Sequence, residues 1–127
     1  MAKVELTGMD ELMKQLYAIG EKIATRGESK ALNAGADILQ EAISQRAPRL
    51  TGKLSENIVK SGIRKNQVGV RYIEVGPSKE VFYGRYLELG TTKMRARPFM
   101  DPALEENRTR IHEAMAEILR EEIERHR

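Results

Sequence analysis

The strongest constraint on the fold is a change in the spacing of apolar residues along the chain. Near both ends, apolar residues recur every three or four positions, which is the period of an amphipathic helix. Between about residues 54 and 75, β-branched residues gather instead, with turn residues on either side, which is typical of short strands. The order helix, helix, sheet, helix predicts an α+β fold, with helices packed on a small antiparallel sheet.

Two N-terminal helices are predicted before the sheet. The first covers about residues 8–24, and Thr7 with Asp10 resembles a capping pair at its start. Gly27 separates it from a second helix over about residues 28–46. Within the second helix, the small residues 34–36 predict close packing against the sheet.

The segment between the helices and the basic loop carries turn and strand patterns. Residues 47–52 have turn chemistry. A separate short extended segment is expected near the N-terminus, at residues 4–6. Residues 62–69 predict a hairpin with a polar tip at residues 64–67. Residues 76–78, Gly-Pro-Ser, close the strand that follows. These features predict a small antiparallel sheet.

Residues 81–90 fit either a strand or a short helix. We favour a short helical turn that places Phe82, Tyr86 and Leu89 inward. A polar, basic loop over residues 91–97 is expected to follow.

The chain closes with a long predicted helix. Asp101 is placed as its N-cap and Pro102 as its first helical residue, a favoured combination at a helix start. Its apolar stripe is formed by Leu104, Ile111, Met115, Ile118, Leu119 and Ile123. At 127 residues, the chain is expected to form a single domain over residues 1–127.

Composition excludes most catalytic and metal chemistry. The chain has no cysteine and two histidines. His112 and His126 are 14 positions apart on one predicted helix, about 21 Å, so they cannot share a metal, and both are expected to be solvated. No P-loop, GxGxxG or GxSxG motif is present. We therefore expect no enzyme, no cofactor and no small-molecule substrate.

Hydropathy predicts no association with a membrane. No apolar run approaches the roughly 20 residues that span a bilayer, and no signal-peptide pattern opens the chain. We expect a soluble protein that is made and kept in a cytoplasm.

Glu88 is the acidic residue with the most possible roles, because it lies between two leucines. Three interpretations are open: an exposed residue, a buried ion-pair partner of Arg97 or Arg95, or a catalytic group.

The net charge of +3 conceals a strongly basic middle segment. Residues 49–97 carry 11 basic and 4 acidic residues, whereas both flanking segments are net acidic. This favours an acidic partner, either nucleic acid or protein, or the acidic ends of another subunit. Lys93, Arg95 and Arg97 are able to contact phosphates without reading bases, or they belong to a solvated or subunit-facing loop. The segment lacks the interleaved aromatics of single-strand binders, and no helix is strongly basic.

Three short motifs stand in a characteristic order and spacing. They are Ala47-Pro48 with Thr51-Gly52-x-Leu54, then Tyr83-x-x-Tyr86-Leu-Glu88-Leu-Gly90-Thr91, then Ala96-Arg97-Pro98-Phe99-Met-x-Pro102-Ala103-Leu104. Together they resemble the tail-component family of long-tailed bacteriophages, the small neck and tail-completion proteins of the head–tail connection. The resemblance covers about residues 1–125, and Leu89 stands where that family commonly has an aromatic residue.

The resemblance implies a structural role in the virion. Such proteins usually form rings around the DNA channel, and they join a filled head to a finished tail without catalysis. The implied partners are copies of the chain itself and neighbouring head-closure and tail proteins, with DNA at most passing through the channel. Assembly is expected in the bacterial host cytoplasm. The alternative function is a small basic DNA-binding module.

The loop that ends at Phe99 is the candidate contact region. It is a plausible arm toward a neighbouring subunit, with Phe99 as an apolar anchor and Arg97 as a forked donor to a carboxylate. Alternatively, Pro98 and Phe99 tuck the loop under the last helix. The candidate interface residues are Tyr86, Glu88, Lys93, Arg95, Arg97 and Phe99.

Overall fold

A computed structural model describes residues 2–48 and 52–127. The strands are β1 (Ala2–Val4), β2 (Ile58–Lys60), β3 (Arg64–Lys65) and β4 (Arg71–Pro77); the helices are α1 (Asp10–Ile19), α2 (Glu21–Arg46), α3 (Lys53–Glu56), α4 (Tyr83–Leu89) and α5 (Met100–Arg125), with a 3₁₀ turn at Lys79–Val81. The α+β prediction is confirmed. Residues 49–51 of the predicted turn, including Thr51 of the first motif, lie outside the described residues.

The sheet is antiparallel, and β4 is its central strand. β1 and β2 pair with opposite edges of β4, and β3 pairs with the start of β4. Because side chains alternate along a strand, Ile73 and Val75 of β4 point together into the core. The extended segment predicted at residues 4–6 thus forms two residues earlier, as β1.

The predicted hairpin forms, but its tip lies farther along the chain. Arg64 and Lys65 are paired strand residues, and the turn runs from Asn66 to Val70. The Asn66 side-chain oxygen accepts hydrogen bonds from the backbone N–H groups of Val68 and Val70. This local bonding closes the turn at Asn66, because asparagine can hold the backbone of the residues that follow it.

The break between the first two helices is at Gly20 and not at the predicted Gly27. Gly20 is extended, with φ 168° and ψ 148°, and α2 continues unbroken for 26 residues. Gly27 is buried inside α2, where a Cβ would lie 3.2 Å from the Leu16 side chain. Gly27 therefore serves the packing of α1 on α2, and the helical conformation continues through it.

Both predicted N-caps differ from the structure. α1 begins after Met9 and has no side-chain cap, so the Thr7–Asp10 pair does not cap it. α5 begins at Met100, which moves Asp101 and Pro102 into its first turn. Proline is tolerated there because the first-turn N–H groups have no partner within the helix.

The core is formed by α2 and α5 lying together over the sheet. Gly35 permits the close approach predicted for residues 34–36, since a Cβ there would lie 2.8 Å from Met115 and 3.0 Å from Val4. The predicted stripe of α5 faces this core. Within the described part of the chain, no helix combines the length and apolar character needed to cross a membrane.

An ion pair between a buried glutamate and a partly exposed lysine links the two long helices. Glu122 of α5 is 3% exposed, and its Oε1 lies 2.6 Å from the Lys30 Nζ of α2. The Lys30 hydrogen bond lowers the pKa of Glu122, although burial acts in the opposite direction. His126 lies 3.7 Å from the same carboxylate and is half-buried, whereas His112 is exposed as expected.

Candidate interaction surface at helix α4

Helix α4 is oriented by a close contact at Gly84. A Cβ at Gly84 would lie 2.7 Å from Pro77 and 2.9 Å from Leu54, so only glycine lets the helix approach this closely. Val81, Gly84 and Glu88 are the buried positions of this segment. With those positions inward, the large side chains on the other side of the segment are turned toward solvent.

The helical turn predicted over residues 81–90 is confirmed, but its inward face is wrong. Phe82 is 57% exposed, Tyr86 is 49% exposed and Leu89 is 80% exposed. The Phe82 and Tyr86 rings meet edge to face with centroids 6.0 Å apart. With the exposed Tyr83, these residues form what we name the α4 face: Phe82, Tyr83, Tyr86 and Leu89.

Glu88 caps the N-terminus of α5. Its carboxylate accepts hydrogen bonds from the backbone N–H groups of Phe99 at 2.7 Å, Met100 at 2.8 Å and Asp101 at 3.1 Å. These N–H groups have no partner inside the helix, and the positive end of the helix dipole favours a carboxylate there. Glu88 is neither exposed nor ion-paired with Arg95 or Arg97. It also lies far in sequence from the usual capping positions, so sequence rules for helix starts do not identify it.

The segment after α4 folds back onto the helix. Gly90 has φ 76°, and Thr91 and Met94 exchange backbone hydrogen bonds across a tight turn. The Arg97 N–H then donates to the Leu87 carbonyl at 2.6 Å. The expected arm is therefore a compact turn in this structure, and we name residues 91–97 the basic loop.

Phe99 is 2% exposed and belongs to the core. Of the two interpretations of Pro98-Phe99, the burial of Phe99 fits a segment tucked under the last helix, whereas Pro98 is exposed. An apolar side chain buried in its own subunit cannot anchor a neighbour in this conformation.

Four exposed cations of α4 and the basic loop have no ion-pair partner among the described residues. Among residues 2–48 and 52–127, Arg85, Lys93, Arg95 and Arg97 form no ion pair, and all four are exposed. Other cations have acidic partners, as in the pairs linking α2 to α5 and α2 to β4. The surface at α4 thus combines exposed aromatic side chains with uncompensated positive charge.

The structure divides the predicted interface residues into two layers. Tyr86, Lys93, Arg95 and Arg97 are at the surface, whereas Glu88 and Phe99 lie beneath it. Sequence analysis missed Phe82, Tyr83, Arg85 and Leu89 as surface residues. The spacing of residues 82, 86 and 89 marks one helix face, but spacing does not specify which face is buried. Gly84 on the opposite face was the available indication of close packing.

The described residues contain no metal centre of the usual kind. Over residues 2–48 and 52–127, no group of three or more His, Asp or Glu side chains is placed to hold an ion. The surface at α4 carries aromatic rings, aliphatic groups and cations, which are groups suited to binding a partner.

Comparison with known families identifies the chain. The family model described as "Bacteriophage HK97-gp10, putative tail-component" matches residues 10–90. The chain belongs to the HK97-gp10 tail-component family. The match runs from the start of α1 to Gly90 and so includes the α4 face, while the basic loop and α5 follow it. No curated protein and no solved structure matches the chain. Membership of the HK97-gp10 family indicates a bacteriophage tail component that acts with other virion proteins.

Proposed function

We propose that this tail component works at the head–tail connection, as a neck or tail-completion protein that assembles into an oligomeric connector. The observation that carries this proposal is the surface at α4, where exposed aromatic residues lie beside four unpaired cations. The α4 face and the basic loop would bind neighbouring subunits and other virion proteins.

Exposed aromatic side chains beside cations are typical of surfaces that bind other proteins. Tyrosine, phenylalanine and arginine are enriched where proteins bind each other. Soluble monomers rarely expose large contiguous apolar patches to water. Four such cations also attract an acidic partner and orient its approach. Tyr86, Lys93, Arg95 and Arg97 are the proposed contact residues.

Glu88 and Phe99 would contribute by holding this surface rigid. Glu88 ties the end of α4 to the start of α5, and Phe99 fixes the loop to the core. A surface held in one conformation loses less entropy on binding. These two residues are therefore proposed as positioning residues beneath the interface.

The test is complementation of a phage or prophage that lacks this reading frame, with lysates viewed by electron microscopy. We expect DNA-filled heads and free tails without the protein, and joined particles when the wild-type chain is supplied. Arg95→Glu and Tyr86→Ala should fail to restore joining. The matched control, Arg110→Glu, changes an exposed cation on α5 and should restore it. Normal joined particles in lysates of the phage that lacks this reading frame would refute the connector function.

The second candidate function is DNA binding. Exposed rings beside unpaired cations suit base stacking and phosphate contact, an arrangement that the sequence pattern did not predict. Fluorescence anisotropy with single- and double-stranded oligonucleotides at 50 and 200 mM salt separates the two functions. A DNA binder loses affinity steeply over this range, whereas a protein connector shows no binding to free DNA.

A further inference from the structure

A second surface lies between α1 and the β3–β4 hairpin. It is a groove of about 790 Å³, and its apolar lining includes Met13, Tyr17 and Val70. Tyr17 is 54% exposed and Val70 is 41% exposed, so the groove presents apolar side chains to solvent. We name it the α1–hairpin groove.

The rim of the α1–hairpin groove is acidic. Four carboxylates and two cations line it, and one of these cations, Arg71, is compensated by Glu28 at 2.6 Å. Glu5, Asp10 and Glu21 have no ion-pair partner within the described residues. The groove thus has the opposite charge to the surface at α4 and the same mixture of aromatic and aliphatic groups.

These two surfaces lie at opposite ends of the same elements. Glu28 of α2 contacts Arg71, which begins β4 beside the groove. Ser44, 16 residues farther along α2, bonds to Ser55 of α3, and the neighbouring Leu54 packs against Gly84 of α4. Sixteen helical residues span about 24 Å, so one chain cannot bring its own surfaces together.

We propose that the α4 face and basic loop of one copy dock into the α1–hairpin groove of the next copy. This inference rests on the proposed function, and it names both halves of the subunit contact. A contact between different surfaces of identical chains is head-to-tail, and repetition closes a ring when the rotation allows. Arg95 and Arg97 then meet the acidic rim, while Tyr86 and Leu89 cover Tyr17 and Val70.

The outer side of α5 is a weaker acceptor for the basic loop. Its exposed glutamates, Glu113, Glu117 and Glu121, are not accompanied by exposed large apolar residues. Glu117 is also near Arg120, with 3.8 Å between the charged atoms. The α1–hairpin groove offers both charge and apolar area, and so it fits the α4 face better.

The absence of cysteine makes cross-linking a direct test. A Thr92→Cys chain, changed at an exposed position of the basic loop, is mixed with a Thr7→Cys chain, changed at an exposed position of the groove lining. The mixture is treated with a short bis-maleimide, which traps weak association at high protein concentration. We expect mixed dimers at least about tenfold above either chain alone, since each dimer needs one of each surface. A chain carrying both cysteines should give a ladder. The control pair, Thr92→Cys with Glu117→Cys, should remain at background.

Charge reversal identifies the partner surface. Arg95→Glu or Glu21→Arg in the corresponding cysteine chains should each lower the cross-linking at least fivefold. Mixing Arg95→Glu with Glu21→Arg should restore it, because the two reversed charges then face each other. Background cross-linking between Thr92→Cys and Thr7→Cys, or equal cross-linking with the control pair, overturns the inference. Background cross-linking together with salt-dependent binding of an oligonucleotide would overturn it in favour of DNA at the α4 face.

The two proposals fail in different ways. If Arg95→Glu abolishes head–tail joining while Glu21→Arg joins normally, the connector function stands and the α1–hairpin groove is not its partner. If both variants join heads to tails normally, the surface at α4 is not the connecting surface either.

Discussion

Replacement of Glu88 should destabilise the protein through the start of α5. The Glu88 carboxylate accepts three backbone N–H groups, and two of these hydrogen bonds are buried. Glu88→Gln keeps the shape of the side chain but removes its charge, and it places an amide NH₂ where one oxygen accepts a bond. Glu88→Ala leaves all three N–H groups without this partner.

The expected loss of unfolding free energy follows from these three hydrogen bonds. For Glu88→Gln we expect a loss of about 1–2 kcal/mol, from one weakened charge-assisted bond and the lost interaction with the helix dipole. For Glu88→Ala we expect about 3 kcal/mol, because unpaired buried donors cost about 1–3 kcal/mol each and water can reach part of the site. With about 2.1 cal/mol/K of unfolding entropy per residue over 127 residues, 3 kcal/mol lowers Tm by about 11 °C.

Urea unfolding followed by circular dichroism measures this loss. Glu113→Gln and Glu113→Ala are matched controls, since Glu113 is exposed on α5 and its side chain accepts no hydrogen bond from the described residues. Hydrogen exchange should also quicken at the N–H groups of residues 99–101 in the Glu88 variants. The cap is refuted if both Glu88 variants unfold within 0.5 kcal/mol of their controls, about the usual range for surface substitutions.

Three further changes test the packing beneath the interface and between the helices. Phe99→Ala should cost about 3–5 kcal/mol in urea unfolding, since Phe99 is 2% exposed and leaves a cavity. Gly84→Ala should cost about 1–3 kcal/mol in the same measurement, because the new Cβ would lie 2.7 Å from Pro77. The lowered pKa of Glu122 predicts stability that is present above about pH 4.3, its usual unfolded value, and is lost as pH falls through the folded pKa. Urea unfolding of Glu122→Gln between pH 7 and pH 3 should therefore show a weaker pH dependence than the wild type.

Each of these changes has a control of the same residue type. Phe82→Ala removes the second phenylalanine, which is 57% exposed, and should cost less than about 1 kcal/mol. Equal losses at Phe82 and Phe99 would contradict the burial of Phe99. Gly62→Ala meets nothing within 4 Å, so an equal effect at Gly62 and Gly84 would exclude crowding as the cause. An unchanged pH dependence in Glu122→Gln, matching the exposed Glu121→Gln, would show that the Lys30 pair does not couple to folding.

The sequence located the long elements because their patterns are local. The stripe of α5 and the body of α2 follow from a 3.6-residue period, and the strands of the hairpin follow from β-branched residues between turns. The helix break was placed incorrectly because Gly20 and Gly27 are equally able to end a helix. Only the packing of Leu16 against Gly27 selects between them.

The family was also accessible from the sequence. The first of the three motifs that indicated a phage tail component lies inside the matched residues 10–90. The second motif ends at Thr91, one residue beyond the match. The third motif lies beyond that segment, and only the tertiary structure shows which contacts its residues make. Its Phe99 packs into the core, and its backbone receives the Glu88 cap.

What the sequence determined by itself is the fold class, the position of the long helices and the basic character of the loop after α4. These properties depend on composition and on spacing within one segment. The tertiary structure decided which side of α4 is buried, since that depends on Gly84 meeting Pro77 and Leu54 from distant segments. It likewise gave Glu88 its partners, because the N–H groups at residues 99–101 reach the carboxylate only after the basic loop has folded back onto α4.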